Sequence, residues 1–242
     1  MTQRREKVIK NALVLMICLS KYNALSSLEQ VKTKDAPNFT RFFKEELHYE
    51  VVQCGDVATA DDVLKFLDEV ISTFELDKNP KQFDGLIVII CGHATTSDEL
   101  IASDGNCVKI ETIRNKFSGQ TLTPFLGFPK LFILNTYIDG NESLTANVKA
   151  FSPTNSFDTK ITFTNTNDEF VMIRSTVVGS LIPDSVTPSY YLNEAFMSFY
   201  KKHDLSEMIK MAQTKICERQ NRRHVEIDAT APTFALFLTR KI

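Results

Sequence analysis

Two kinds of hydrophobic pattern alternate along the chain. Residues 8–19 form a near-continuous apolar run without helical spacing, as expected of a strand buried on both faces of a parallel sheet. After a turn over 20–27, Phe39, Phe42, Phe43 and Leu47 recur at helical spacing, with Asp35 placed to cap that helix and Pro37 tolerated in its first turn. Residues 48–54 read as a short second strand. Thr59 and Asp62 resemble a capping box, and Val63, Phe66, Leu67, Val70, Ile71 and Phe74 make an unbroken i, i+3, i+4 stripe, the clearest helix of the chain. FDGLIVIIC at 83–91 reads as the central buried strand, ended by Gly92 and His93. The Asp104-Gly105 pair marks a turn, 110–117 a short helix and KLFILN at 130–135 a further parallel-type strand.

Residues 139–168 are rich in Asn, Thr and Ser and lack helical periodicity, so they read mainly as a long loop. Beyond it come strand-like 170–176, helix-like 191–200, a helix over 206–219 and strand-like 234–239. This alternation of strand and helix predicts an α/β fold, a mostly parallel sheet sandwiched by helices.

Composition narrows the function more than the fold. With 43% apolar and 24% charged residues over 242 positions, the chain is globular, and its 28 basic and 30 acidic residues create no field to gather nucleic acid or an anionic membrane. Neither is expected as a partner. The five Cys are odd in number, scattered and without a C-x-x-C pair, which indicates neither a disulfide framework nor a zinc site and suits a reducing, cytoplasmic setting. Arg4, Arg5 and Lys7 ahead of an apolar run mimic a secretory signal. However, Lys10 and Asn11 interrupt the approach, no small-x-small site follows, and the run is too short to span a bilayer, so a buried strand is expected.

No G-x-G-x-x-G follows the first strand and no G-x-x-x-x-G-K-[ST] occurs, so dinucleotide and P-loop chemistry fall away and no cofactor is expected. His48, His93, His203 and His224 show no metal-ligand spacing. His93 stands apart by position, just beyond the carboxyl end of a buried strand, where open α/β sheets place binding and catalytic groups.

The run 83–93, Ser103-Asp104-Gly105 and FPKLFIL at 128–134 resemble the large subunit of a caspase, in which one strand ends in His-Gly and a later P-K-L-F strand leads into Q-A-C-R-G. Arg174-Ser175-Thr176-Val177, Ser189-Tyr190-Tyr191 and the stretch 232–241 resemble the small-subunit strand, helix start and closing strand, so the likeness spans 11–242. The resemblance implies a three-layer caspase-like fold with a mostly parallel six-stranded sheet and helices on both faces. It also implies one domain over 1–242, large-subunit-like over 1–140, with an intersubunit-like loop over 141–168 and a small-subunit-like part over 169–242. The resemblance further implies the cysteine endopeptidase class, one tied to proteolysis and apoptosis.

Carried over residue by residue, the resemblance makes His93 the dyad histidine and places Tyr137 where the family has its cysteine. A phenol near pKa 10 is a poor substitute for a thiol near 8.5, and its ring would fill space that a scissile carbonyl needs. Ala94 replaces the glycine whose amide helps form the oxyanion hole. Asn135 replaces the pocket Gln, and Asp184 stands where the pocket Arg would be, with Lys32 and Lys34 as candidate remnants of the other basic residue. These departures point to an inactive pseudo-peptidase that acts through interaction with protein or peptide partners, modulating an active caspase-like protein, as a homodimer or a heterodimer with an active relative. The strand-forming segment 234–238 supplies a pairing edge. The rival reading is a divergent cysteine-type endopeptidase using Cys91, Cys107 or, less conventionally, Thr136. Asp158 and Asp168 mark possible cleavage points in the long loop, with self-cleavage not expected.

Overall fold

The computed structural model describes residues 5–138, 169–178, 187–219, 225–229 and 234–241. Its centre is a six-stranded sheet in the order β3-β2-β4-β7-β8-β9, built from β2 (Ala12–Cys18), β3 (Glu50–Gln53), β4 (Gly85–His93), β7 (Lys130–Ile138), β8 (Phe170–Val178) and β9 (Val225–Ala229). All neighbours are parallel except β8 and β9, so β9 closes one side as an antiparallel edge. Every residue of β2 and β4 is buried, which is why both read as unbroken apolar runs rather than alternating ones.

Helices cover both faces. On one side lie α1 (Ala36–Thr40), flanked by π-helical turns at Val31–Asp35 and Arg41–Glu46, together with α4 (Pro188–Phe199) and α5 (Leu205–Arg219). Phe39, Phe42, Phe43 and Phe196 pack there against Met16, Ile89 and Ile133. On the other side lie α2 (Ala60–Thr73) and α3 (Ile110–Lys116), whose Val63, Leu67, Val70 and Ile113 meet Leu13, Val88 and Phe132. The α2 capping box is complete: Thr59 Oγ1 accepts from Asp62 N and Asp62 Oδ2 accepts from Thr59 N. A small antiparallel pair, β5 (Glu99–Ile101) and β6 (Cys107–Lys109), turns at Asp104-Gly105, where Gly105 takes φ +86°.

Three expectations are corrected. The run 8–19 is two strands, β1 (Arg5–Ile9) and β2, because the amides of Lys10 and Asn11 both turn onto the Asp84 carboxylate, at 3.0 and 2.9 Å. The strand Phe234–Leu238 (β10) is not the edge of the main sheet. It pairs in parallel with β1, Arg5 opposite Phe234 and Ile9 opposite Leu238, in a separate two-stranded sheet. Among the described strands the outer one on that side is β9, whose VEIDA sequence alternates apolar and polar positions at strand period but over five residues only. Asp35 makes no cap hydrogen bond to α1; it closes a π-helical turn and is fully buried.

Candidate functional site

The carboxyl ends of β4 and β7 bring the expected residues together by register. Cys91 lies opposite Asn135, and His93 opposite Tyr137. One strand further, Ser175 of β8 lies opposite Asn135, and on the other side Cys18 of β2 lies opposite Cys91. Side chains alternate along a strand, so Cys91, His93, Asn135 and Tyr137 share the face covered by α1 and α4, whereas Thr136 points to the opposite face.

His93 is buried and firmly held. Its N–H donates to Tyr22 Oη at 2.9 Å, and that hydroxyl donates in turn to Leu19 O at 2.9 Å. The Tyr22 and His93 rings meet edge to face with centroids 4.7 Å apart. Nε2 lies 2.9 Å from Ser26 O; a carbonyl only accepts, so Nε2 carries the hydrogen of this bond. Gly92 is required by this packing, since a Cβ there would stand 2.7 Å from Tyr22 Oη.

Tyr137 is 4% exposed, and its hydroxyl donates to Asp35 Oδ2 at 2.7 Å. The other carboxyl oxygen, Oδ1, accepts from Ser189 Oγ at 2.5 Å, and Ser189 is joined to Thr187 Oγ1 at 2.8 Å and to Asn38 Nδ2 at 3.0 Å. Burial pushes the Asp35 carboxyl above the usual carboxylate range, while donors from Ser189, Tyr137, Thr187 and Asn135 offset part of the rise. The Tyr137 phenol is pushed far up, first by burial and then by the adjacent Asp35 charge. Asn135 accepts from Ser175 Oγ at 2.8 Å, but its Nδ2 reaches no neighbour at full hydrogen-bond geometry.

The Ala94 amide donates to Tyr137 O at 3.0 Å, extending the β4–β7 ladder by one bond. Cys91 is fully buried beside Cys18, and burial holds its thiol well above the ordinary value, which disfavours the thiolate. Cys107 is exposed on β6, in the hairpin whose other strand, β5, leads away from the end of β4. Lys32 is exposed and pairs with Asp56 at 3.0 Å, so it is a surface ion pair rather than a pocket cation, whereas Lys34 is half-buried. Asp184, Asp158 and Asp168 lie outside the described residues. No group of three His, Cys, Asp or Glu suited to a metal ion occurs among the described residues, and none of their helices is long and apolar enough to cross a membrane.

Sequence reasoning named His93 and Tyr137, which the register sets opposite each other, but gave no place beside them to Asp35 and Ser189, which join Tyr137 only through the fold. It also missed Tyr22 and Ser26, which hold the histidine from the loop after β2. The nearest signal was the Ser189-Tyr190-Tyr191 triplet, noted for its likeness and not for its hydroxyl.

Among solved structures, the Drosophila initiator caspase Dronc superimposes with a TM-score of 0.67, covering 94% of this chain and 82% of its own, at 13% sequence identity, a likeness of fold. No curated protein sequence matches the chain significantly. The family model described as the caspase domain matches residues 11–241. With that match running from the residue before β2 to beyond β10, the chain belongs to the caspase-domain family.

Proposed function

We propose that this chain is a caspase-fold protein without peptidase activity, one that works by binding other proteins. The observation that carries this reading is the Tyr137 position: the residue opposite His93 is a buried phenol whose hydroxyl is committed to Asp35. Nucleophilic catalysis needs a group that is deprotonated, or deprotonated in passing by its base, and exposed to the scissile carbonyl. Tyr137 offers neither, since burial and the Asp35 charge both oppose its ionisation. The Ala94 N–H, which would have to point at a developing oxyanion, is bonded to the Tyr137 carbonyl instead. Cys91 lies inside the sheet with its thiol protonated, so it is no substitute.

The purified chain should neither cleave a peptide library spanning acidic and basic side chains before the scissile bond nor be labelled by acyl-directed electrophiles in a His93-dependent way. Specific turnover that is abolished by His93→Ala would overturn the reading.

For partners, the fold leaves β9 as the outer strand of the six-stranded sheet, with one side of its backbone unpaired by any described strand. Such an edge is a pairing template. A self-complementary pairing of two copies, or pairing with an active relative, would extend the sheet across it. Light scattering at micromolar concentration, alone and mixed with active caspases, tests this, and a strict monomer in every mixture refutes it.

A further inference from the structure

Asp35 is where β7, α4 and the helical stretch after β2 meet. Its carboxyl is fully buried under the β4 and β7 ends, and it takes part in no ion pair among the described residues. Hydroxyls serve it instead. Tyr137 approaches Oδ2 from the tip of β7, and Ser189 approaches Oδ1 from the first turn of α4. Asn38 of α1 donates to the same Ser189 oxygen, so the continuous helical stretch formed by the Val31–Asp35 turn and α1 is tied to α4 twice. The placement also sets a carboxyl against the amino end of a twelve-residue helix whose N-cap, Thr187, makes no side-chain cap bond.

We propose that Asp35 is a latch between two elements: by binding the Tyr137 and Ser189 hydroxyls on its two oxygens, it makes the β7 tip and the start of α4 one coupled unit, so that neither loosens without the other. A carboxyl surrounded by hydroxyls and excluded from water is a poor place to lose one partner, because the remaining oxygen is left buried and unmet. Release of Tyr137 therefore removes support from Ser189 as well, although the two lie on different elements. The latch takes its location from the reading of His93 and Tyr137 as a silent site. The coupling itself does not depend on whether the protein cleaves anything.

Hydrogen exchange of the full chain, followed segment by segment, tests the latch. Tyr137→Phe keeps the ring and removes only the hydroxyl. It should accelerate exchange in the segment 190–196 of α4 by about ten-fold or more, the scale of one hydrogen bond to a charged group, while 12–18 of β2 stays at the wild-type rate. Ser189→Ala should reciprocally accelerate 92–95 and 134–138. In the double variant the acceleration should fall well short of the product of the two, as for partners in one network. If either substitution affects only its own segment, or if the effects multiply, the latch is wrong. Should Tyr137→Phe fail to fold, Asp35→Asn, which keeps one carbonyl acceptor, must loosen both segments together; exchange equal to wild type in both would also overturn the proposal. None of these readouts involves turnover, so they stand apart from the peptidase assay.

Discussion

Returning the family's thiol to its slot, by Tyr137→Cys, should weaken the protein substantially without creating a protease. The ring is 4% exposed and belongs to the core on the α1/α4 face. Truncating a buried aromatic to a small side chain costs roughly 3–5 kcal/mol in transfer and cavity terms. Loss of the hydroxyl strips Asp35 Oδ2 of its 2.7 Å donor and leaves a buried acceptor unmet, a further penalty of about 1–3 kcal/mol. Because sulfur refills part of the ring's volume, the expected loss is about 4 kcal/mol, at the low end of the combined range. Against a typical domain stability of roughly 5–15 kcal/mol, that leaves a folded but fragile chain. Urea denaturation reads the loss, and a fluorogenic peptide panel reads turnover. Turnover should stay at background, because the bond from Ala94 N–H to the carbonyl of residue 137 is made by the backbone and survives the substitution. A loss below about 1 kcal/mol would mean that the ring and its hydroxyl contribute little to packing. His93-dependent cleavage by the variant would show that the oxyanion donors are available after all.

Two further perturbations test the surroundings. Gly92→Ala introduces a Cβ 2.7 Å from Tyr22 Oη, which is fixed by two hydrogen bonds, so the variant should lose about 1–3 kcal/mol and shift the His93 imidazole resonances in NMR; wild-type stability and spectrum would refute the close approach. Burial raises the Asp35 pKa, so the folded chain holds that proton more tightly than the unfolded chain, where it titrates near 3.9. The contribution of Asp35 to stability is therefore complete below about pH 4 and is lost as pH rises through the folded value. The unfolding free energy of wild type minus that of Asp35→Asn should fall as pH rises above about 4, and a difference that is flat or rising contradicts the assignment.

What could be read from the sequence follows from how local each interaction is. The α2 helix was legible because its cap and its stripe lie within one stretch, Thr59 to Phe74, and its partner sheet imposes only a face. β4 and β7 were legible because two-sided burial erases polar alternation and leaves runs such as LIVIIC and LFIL. The break at Lys10 and Asn11 was not, because the group that turns their amides, Asp84, is 74 and 73 positions away. The same holds for the site. His93 announced itself by standing at a strand's carboxyl end, and Tyr137 by its place in a family pattern. Asp35 looked like an ordinary helix cap, since the hydroxyls that define its role come from 102 and 154 positions downstream. No local rule distinguishes a capping aspartate from a buried acceptor when its donors lie on other elements.

The β1–β10 ribbon constrains the timing of folding during synthesis. Thr239 N–H and Oγ1 both reach Ile9 O, and the two residues are 230 positions apart. Tyr49 Oη lies 2.7 Å from Ile9 O and 2.8 Å from Thr239 O, one proton serving two carbonyls at the same junction. At roughly 5–20 residues per second of translation, β1 is exposed for on the order of 10 to 50 s before its partner leaves the ribosome. Through that interval its backbone edge and the half-exposed Val8 are open to any other nascent strand. A chain released before β10 is made keeps that edge permanently, so premature termination should yield species that demand a chaperone, even though the sheet from β2 to β8 is already encoded.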